Sequence, residues 1–265
     1  MEAQLVVRPA IFALVFVAMA LIELVFPHHH DRAKARRWGS NLVLFALGIL
    51  LSRLMLPIGA IGVAAYAEYR GWGLFNLLDW PAWLEILLGV IVFDFLIWLQ
   101  HVVFHKVDWL WKLHRVHHAD EVLDVTTGLR FHPIEIALSL VIKVAAILIL
   151  GPAALAVFLF EVLLNAGSMI THANWKLPRG LDHALRFLVV TPGMHRVHHA
   201  LDRGDTNSNY GFNLAIWDRM FGTYRPEPVV GDDAICFGVD GYMDEKERRV
   251  GRLLTQPFRG PNGEN

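Results

Sequence analysis

Apolar residues along this chain run in long stretches instead of alternating with polar ones. Five such stretches cover residues 10–26, 41–58, 82–104, 134–150 and 153–171. A helix crosses the hydrocarbon of a bilayer with about 20 apolar residues, and about 17–25 are tolerated. The pattern therefore predicts five membrane-spanning helices. Segment 65–81 carries Tyr66, Tyr69, Trp72 and Trp80 among Gly71 and Gly73, which reads as an interfacial loop. Residues 241–265 are polar and contain glycine, so they are expected to form a loosely ordered tail. The first stretch resembles a secretory leader only in length. Arg8 stands beside Glu2 before it, and His28, His29 and His30 follow with no small-residue cleavage site. A retained anchor is expected. The organisation expected is membrane anchor helices over 1–80, a catalytic region over 81–225 and a polar tail over 226–265.

Charge orients the bundle. The loop after the first stretch reads DRAKARR, with Arg32, Lys34, Arg36 and Arg37. By the excess of Lys and Arg in cytoplasmic loops, this loop is placed in the cytoplasm. The second stretch then exits, the third returns, and the fourth and fifth form a hairpin about Gly151-Pro152. Segments 105–133 and 172–265 follow on the cytoplasmic side. Every histidine from residue 101 onward falls on that side.

Composition sharpens the picture where it is unusual. The formal net charge is −1, which gives no bulk attraction to nucleic acid. A single cysteine, Cys236, excludes a disulfide framework and a cysteine-built metal site. No GxxxxGK[ST] or GxGxxG string occurs. There are, however, fourteen histidines. His101 and His105 are four apart at the end of the third stretch. His114, His117 and His118 form HxxHH, and His195, His198 and His199 repeat it within the same string, HRVHHA. His132 and His172 stand singly at the cytoplasmic ends of the fourth and fifth stretches.

Positions i, i+3 and i+4 share one helix face, so each HxxHH is expected to turn three imidazoles toward one point, as two similar half-sites. Thr191 with Pro192 can start the second helix, and Asp108 can cap the first. One transition-metal ion takes four to six ligands, so nine or ten imidazoles imply two ions. Imidazole suits Fe, Zn, Cu and Ni. The carboxylate-bridged alternative needs ExxH pairs, and none occurs. The fold class expected is all-α, a multi-span transmembrane helical bundle with a cytosolic helical cap carrying a His-rich dimetal site.

These residues carry a resemblance. HxxxH at 101–105, HxxHH at 114–118 and HxxHH at 195–199 resemble the fatty acid hydroxylase/sterol desaturase superfamily of membrane oxygenases. So do the flanking strings LQHVVFHKVDWLWKLHRVHH, RFHPIE, TPGMHRVHH and NYGFNLAIWDRMFGTY. The resemblance spans roughly residues 85–225. It implies a non-haem di-iron centre that activates O₂ to oxidise a C–H bond, by hydroxylation or desaturation. It carries over His101, His105, His114, His117, His118, His195, His198 and His199 as ligands, with His172 of THANW as a further one. Some members place another histidine four residues earlier, where this chain has Ser168. His132 is the candidate tenth ligand, with a role beside the ligands as the alternative. Electrons are expected from a separate donor, a reductase with a ferredoxin or a b-type cytochrome, because no flavin, nicotinamide or His-Pro-Gly-Gly haem motif occurs. The substrate implied is a lipid from the bilayer: a sterol, a fatty acyl chain or a related lipid. A bacterial inner membrane and an endoplasmic reticulum both place such a site in the cytosol.

Candidates beyond the ligands follow from position. Asp120, Asp202, Asp205 and Asn207 are near enough in sequence to orient the imidazoles. Ionisable groups inside spans usually face the protein interior. Asp94, Glu161, Asn165 and Ser168 fall on stripes that end at the histidines and could line a substrate cavity. Pairing is the competing role: Lys143 with Glu161, and Arg53 with Asp94. His28–His30 reads as a solvated face, and His183 as surface or packing. Segment 210–224 should fold back as an aromatic cap, with Tyr210 and Trp217 packing in it. Two other functions compete. A zinc hydrolase wants three protein ligands and an open position, fewer than this inventory offers. A metal transporter or binding protein wants polar groups at the midplane.

Overall fold

A computed structural model describes residues 2–29, 34–79, 81–232 and 234–261. His30, Arg32 and Trp80, named above, lie outside the described residues. The helices among those described are α1 (Glu2–Val25), α2 (Lys34–Met55), α3 (Gly59–Arg70), α4 (Ala82–Lys106), α5 (Asp108–His118), α6 (Pro133–Leu150), α7 (Ala154–His172), α8 (Arg179–Leu185), α9 (Pro192–His198), α10 (Arg203–Thr206), α11 (Ile216–Met220) and α12 (Val250–Thr255). Among the described residues there is no strand, only the isolated bridges Val189–Leu214 and Ala200–Phe237.

Five segments are long and apolar enough to cross a membrane; four match predicted stretches, and the second, Lys34–Leu77, contains its stretch but extends beyond it at both ends. Their outward faces are hydrophobic, as Leu14, Leu50, Leu87, Val141, Ile149 and Leu163 show. Small residues lie inside, which lets helix backbones approach in lipid. Ala60, Ala64 and Ala67 of α3 pack with Phe93, Ile147, Val157 and Phe160.

The second span differs from its prediction. Helix α2 stops at Met55 because Pro57 has no N–H and cannot continue it. The chain resumes as α3, within what was read partly as an interfacial loop. Gly48 of α2 lies over Ile136, while Trp72 and Gly73 beyond α3 meet Gly151. The broken helix α2–α3 therefore runs the length of α6. Ala60, Val63, Ala64 and Ala67 are buried at helical spacing; Tyr66 and Tyr69 on the outer face disguised that stripe. Gly151 sits at φ 64 and caps α6. A Cβ there would strike the Trp72 carbonyl oxygen. Both its conformation and its close contact thus require glycine.

Helices α1, α2, α4, α6 and α7 present one end each to a common cap. Two bonds show it for α1 and α2: His28 N–H donates to Asn174 O at 3.1 Å, and Arg37 to Asp120 Oδ2 at 2.7 Å. The loop DRAKARR, as far as described, is thus on the histidine side. Its charges are used internally: Arg37 is buried against Asp120 and Asp124, and Lys34 and Arg36 pair with Glu23 and Glu245.

Thr191 caps α9 by accepting from Met194 N–H at 3.2 Å, with Pro192 at the first helical position. Helix α5 instead begins at Asp108, with Val107 as its cap residue. A first-turn Asp suits the helix dipole. The expected loose tail is folded where described. Leu253 of α12 is buried on Leu44 and Val116. Arg115 donates to Arg259 O at 2.8 Å, and Arg259 pairs with Glu247.

Candidate metal centre

Nine imidazoles converge into two groups. His101, His105, His114, His118 and His198 form one; His117, His172, His195 and His199 form the other. Within each group the ligand atoms lie within 4.8 Å of one another. Neither HxxHH stays together, contrary to the expectation of two half-sites. Residues i and i+4 are about 40° apart around a helix, whereas i+3 and i+4 are about 100° apart at 3.6 residues per turn. Each i, i+4 pair therefore shares a group: His101 with His105, His114 with His118, His195 with His199. Each i+3 ring, His117 or His198, crosses to the other group. The two α-helical motifs are in this way interlocked. The second group lacks an i, i+4 partner for His172, because position 168 is serine and its Oγ donates to Gly128 O at 2.9 Å.

The hydrogen bonds fix which ring nitrogen carries the proton. His101 Nδ1 donates to Tyr210 O at 2.7 Å, His117 Nδ1 to Arg130 O at 3.2 Å, His172 Nδ1 to Ser168 O at 2.7 Å and His198 Nδ1 to Ser208 O at 2.7 Å. His114 Nδ1 donates to the Glu135 carboxylate at 2.7 Å. The opposite nitrogens then bear lone pairs. Nε2 of His101 faces Nε2 of His114 at 3.0 Å, and Nε2 of His172 faces those of His117, His195 and His199, each at 3.0 Å. In the His101–His114 and His172–His117 contacts both facing atoms bear lone pairs, and lone pairs held that close repel unless a cation lies among them. His198 Nε2 and both nitrogens of His105 and His118 have no hydrogen-bond partner among the described residues, although they are buried. Burying such atoms without partners is costly. The donor set fits two metal ions.

Burial also keeps the rings neutral, as metal binding requires. It pushes His117, His118, His195, His198 and His199 well below the usual imidazole pKa, and His114 down to about 3. Aromatic rings close the site. Phe131 stacks on His117 at 4.4 Å, and Tyr210 lies 5.1 Å from His105.

The model of the fatty acid hydroxylase family matches residues 86–223, which contain all nine rings. The chain belongs to the fatty acid hydroxylase family. It is 33% identical over 68% of its length to an ornithine lipid hydroxylase of Rhizobium tropici, covering 52% of that protein. It is 30% identical over 80% of its length to human alkylglycerol monooxygenase, covering 46% of it. A methylsterol monooxygenase of Arabidopsis thaliana is 28% identical over 67% of this chain and 69% of its own. The chain thus spans about half the length of the first two relatives. No solved structure matches it.

Other residues anticipated for this family's site lie elsewhere. His132 caps α6: its Nδ1 accepts from Ile134 N–H at 3.2 Å and its Nε2 donates to Leu254 O at 3.1 Å. Both nitrogens are committed, and it joins neither group. Asp120 binds Arg37, Asn41 and Thr127 instead of an imidazole. Burial opposes its charge, but the guanidinium groups of Arg37 and Arg130 hold its carboxyl below the usual value. Asp202 caps α10, Asp205 pairs with Arg225, and Asn207 accepts from the Tyr210 hydroxyl at 3.4 Å. The imidazoles are oriented by four backbone carbonyls and by Glu135, which was not anticipated although it ends the string RFHPIE.

The proposed cavity stripe is also spoken for. Asp94 accepts from Asn213 Nδ2, Leu214 N–H and Trp217 Nε1 at 2.8–3.2 Å. Arg53 donates to Pro57 O, so these two do not pair with each other. Lys143 does pair with Glu161, at 2.7 Å, and Arg8 joins them. Asn165 donates to Glu161 O and borders a crevice of about 10 Å³ beside Arg8 and Met169. That space holds a water, not a lipid. A larger cavity, about 130 Å³, reaches His118 beside Trp111 and Arg203. His28 is not a solvated face: its ring is buried beside His29 and Asp232. His183 is exposed, as expected.

Proposed function

We propose that this chain is an integral-membrane non-haem di-iron oxygenase that hydroxylates a C–H bond of a membrane lipid, with O₂ and with electrons from a separate donor. The observation that carries this reading is the pair of all-imidazole groups whose lone pairs face one another across 3.0 Å. Iron bound by His101, His105, His114, His118 and His198, and by His117, His172, His195 and His199, would supply O₂ activation and hydrogen abstraction from an unactivated carbon. The chain's own part is to orient and enclose. The Nδ1 anchors of His101, His114, His117, His172 and His198 orient those five rings before metal binds, and losing such an outer partner costs about 10–100-fold in metal affinity. Phe131, Tyr210 and Phe212 keep water from the rings. Helices α4 and α7 carry their histidines to the ends of apolar spans, within reach of a bilayer lipid.

Hydroxylation is favoured over desaturation because the relatives' names are those of hydroxylases and monooxygenases. The absence of flavin, nicotinamide and haem fingerprints from this sequence supports an external donor, a reductase with a ferredoxin or b-type cytochrome. The basic loop at the histidine end supports a cytoplasmic site. A zinc hydrolase is disfavoured by the surplus of ligands. The test is turnover under ¹⁸O₂. Iron-loaded protein in lipid nanodiscs, given reductant, should add one ¹⁸O atom to a lipid, and the His117→Ala/His198→Ala double variant should add none. Lipid hydrolysis without label in either sample would overturn the reading.

A further inference from the structure

We propose that the lobe built from α8 with residues 187–190, and from residues 210–221 with α11, is immersed in the bilayer at the histidine-bearing end instead of standing in water above it. The partner of its exposed face is lipid, in continuity with the apolar face of the spans.

Depth is the first argument. Helix α4 has 25 residues, about 37 Å at about 1.5 Å per residue. The hydrocarbon is about 30 Å thick, so about 7 Å of α4 can project. Asp94 precedes Lys106 by twelve residues, about 18 Å, and Trp98 precedes it by eight, about 12 Å. Even with the whole excess at the histidine end, both residues remain inside the hydrocarbon. Yet the lobe is fastened to them. Asp94 holds Asn213, Leu214 and Trp217; Trp98 Nε1 donates to Asp218 at 3.1 Å; Phe221 stacks on Trp98 at 4.7 Å. Two backbone hydrogen bonds tie the two halves together, with Ala215 N–H donating to Leu188 O and Val190 N–H to Asn213 O.

Surface chemistry is the second. Phe187 is 74% exposed, Leu188 68% and Met220 64%, and Leu181, Ile216 and Phe221 are exposed with them. Arg219 lies over Phe187 at 5.2 Å and over Tyr224 at 3.8 Å, a cation drawn along apolar rings toward the headgroups. Backbone satisfaction is the third. Irregular chain is tolerated at membrane depth only where its polar groups are bonded within the protein. Tyr210 N–H and Gly211 N–H donate to the Asp218 carboxylate, and Leu214 N–H to Asp94. Asp94 and Asp218 are thus the acceptors that allow an irregular segment to lie beside α4.

The test needs no metal and no substrate, so it stands or fails apart from the oxygenase reading. In a Cys236→Ser background, nitroxide labels are placed on single cysteines at Leu188 and Met220. References sit at Leu99, on the exposed face of α4, and at Val230, exposed outside the spans. The full chain is reconstituted in nanodiscs of phosphatidylcholine and phosphatidylglycerol. Relaxation by O₂, which partitions into lipid, is compared with relaxation by a chromium oxalate complex, which stays in water. The O₂-to-chromium ratio at Leu188 and Met220 should match Leu99 and exceed Val230 several-fold. A ratio like that at Val230 would overturn the proposal. So would shielding from both reagents, which would mark a protein partner or a second copy on this face. Phe187→Cys and Ile216→Cys replace either label site that does not fold.

Discussion

At the scale of single residues, the site depends on atoms that a sequence does not advertise. Tyr210, Arg130, Ser168 and Ser208 orient histidines through carbonyl oxygens, which any residue type could supply. Glu135 is the exception, a side chain aimed at His114. Replacing it by leucine removes the acceptor and should weaken metal binding at the five-histidine group by about 10–100-fold. Glu135→Gln keeps an acceptor oxygen and should lose much less. Metal affinity of the two variants, measured by competition with a chelator, checks this. The nine histidines that converge were legible because imidazoles at helical spacing have few structural uses. Asp120, Asp202, Asp205 and Asn207 were misread because nearness in sequence says nothing of direction. Their carboxylates and amide serve loop and cap geometry instead.

At the scale of elements, the spans were legible from hydrophobicity and the break in α2–α3 was not. Pro57 marked the break, but the buried stripe of α3 is short and its outer face aromatic, so length and composition pointed to a loop. The geometry of i, i+4 pairing was also available in principle: the same 100° step that groups residues on a face separates i+3 from i+4 enough to reach a second ion. Polar residues inside the spans act as fasteners. Glu161 accepts from Lys143 and pairs with Arg8, joining α1, α6 and α7. Glu161→Gln leaves two cations without their counter-charge and should cost of order 3 kcal/mol. Thermal unfolding in nanodiscs should show it as a lower midpoint; an unchanged midpoint with lost turnover would instead assign Glu161 to substrate.

At the scale of the whole molecule, the cap is braced from outside by the segment that was expected to be a loose tail. Leu253 fills a gap between Leu44 of α2 and Val116, which lies between His114 and His117. Leu253→Ala should cost about 2–5 kcal/mol, seen as a lower unfolding midpoint and a metal centre that exchanges faster. The polar composition of 241–265 hid this because a single buried leucine is a weak signal.

The proposed function requires two irons in the interlocked all-histidine groups. Metal analysis of protein purified without oxygen from iron-replete cells tests it most directly. About two irons per chain are expected, because nine imidazoles are more than one ion can coordinate. His117→Ala and His198→Ala take a ligand from different groups, so each alone should deplete one ion and the pair both. One zinc per chain, or a metal content that the paired substitution leaves unchanged, would contradict it.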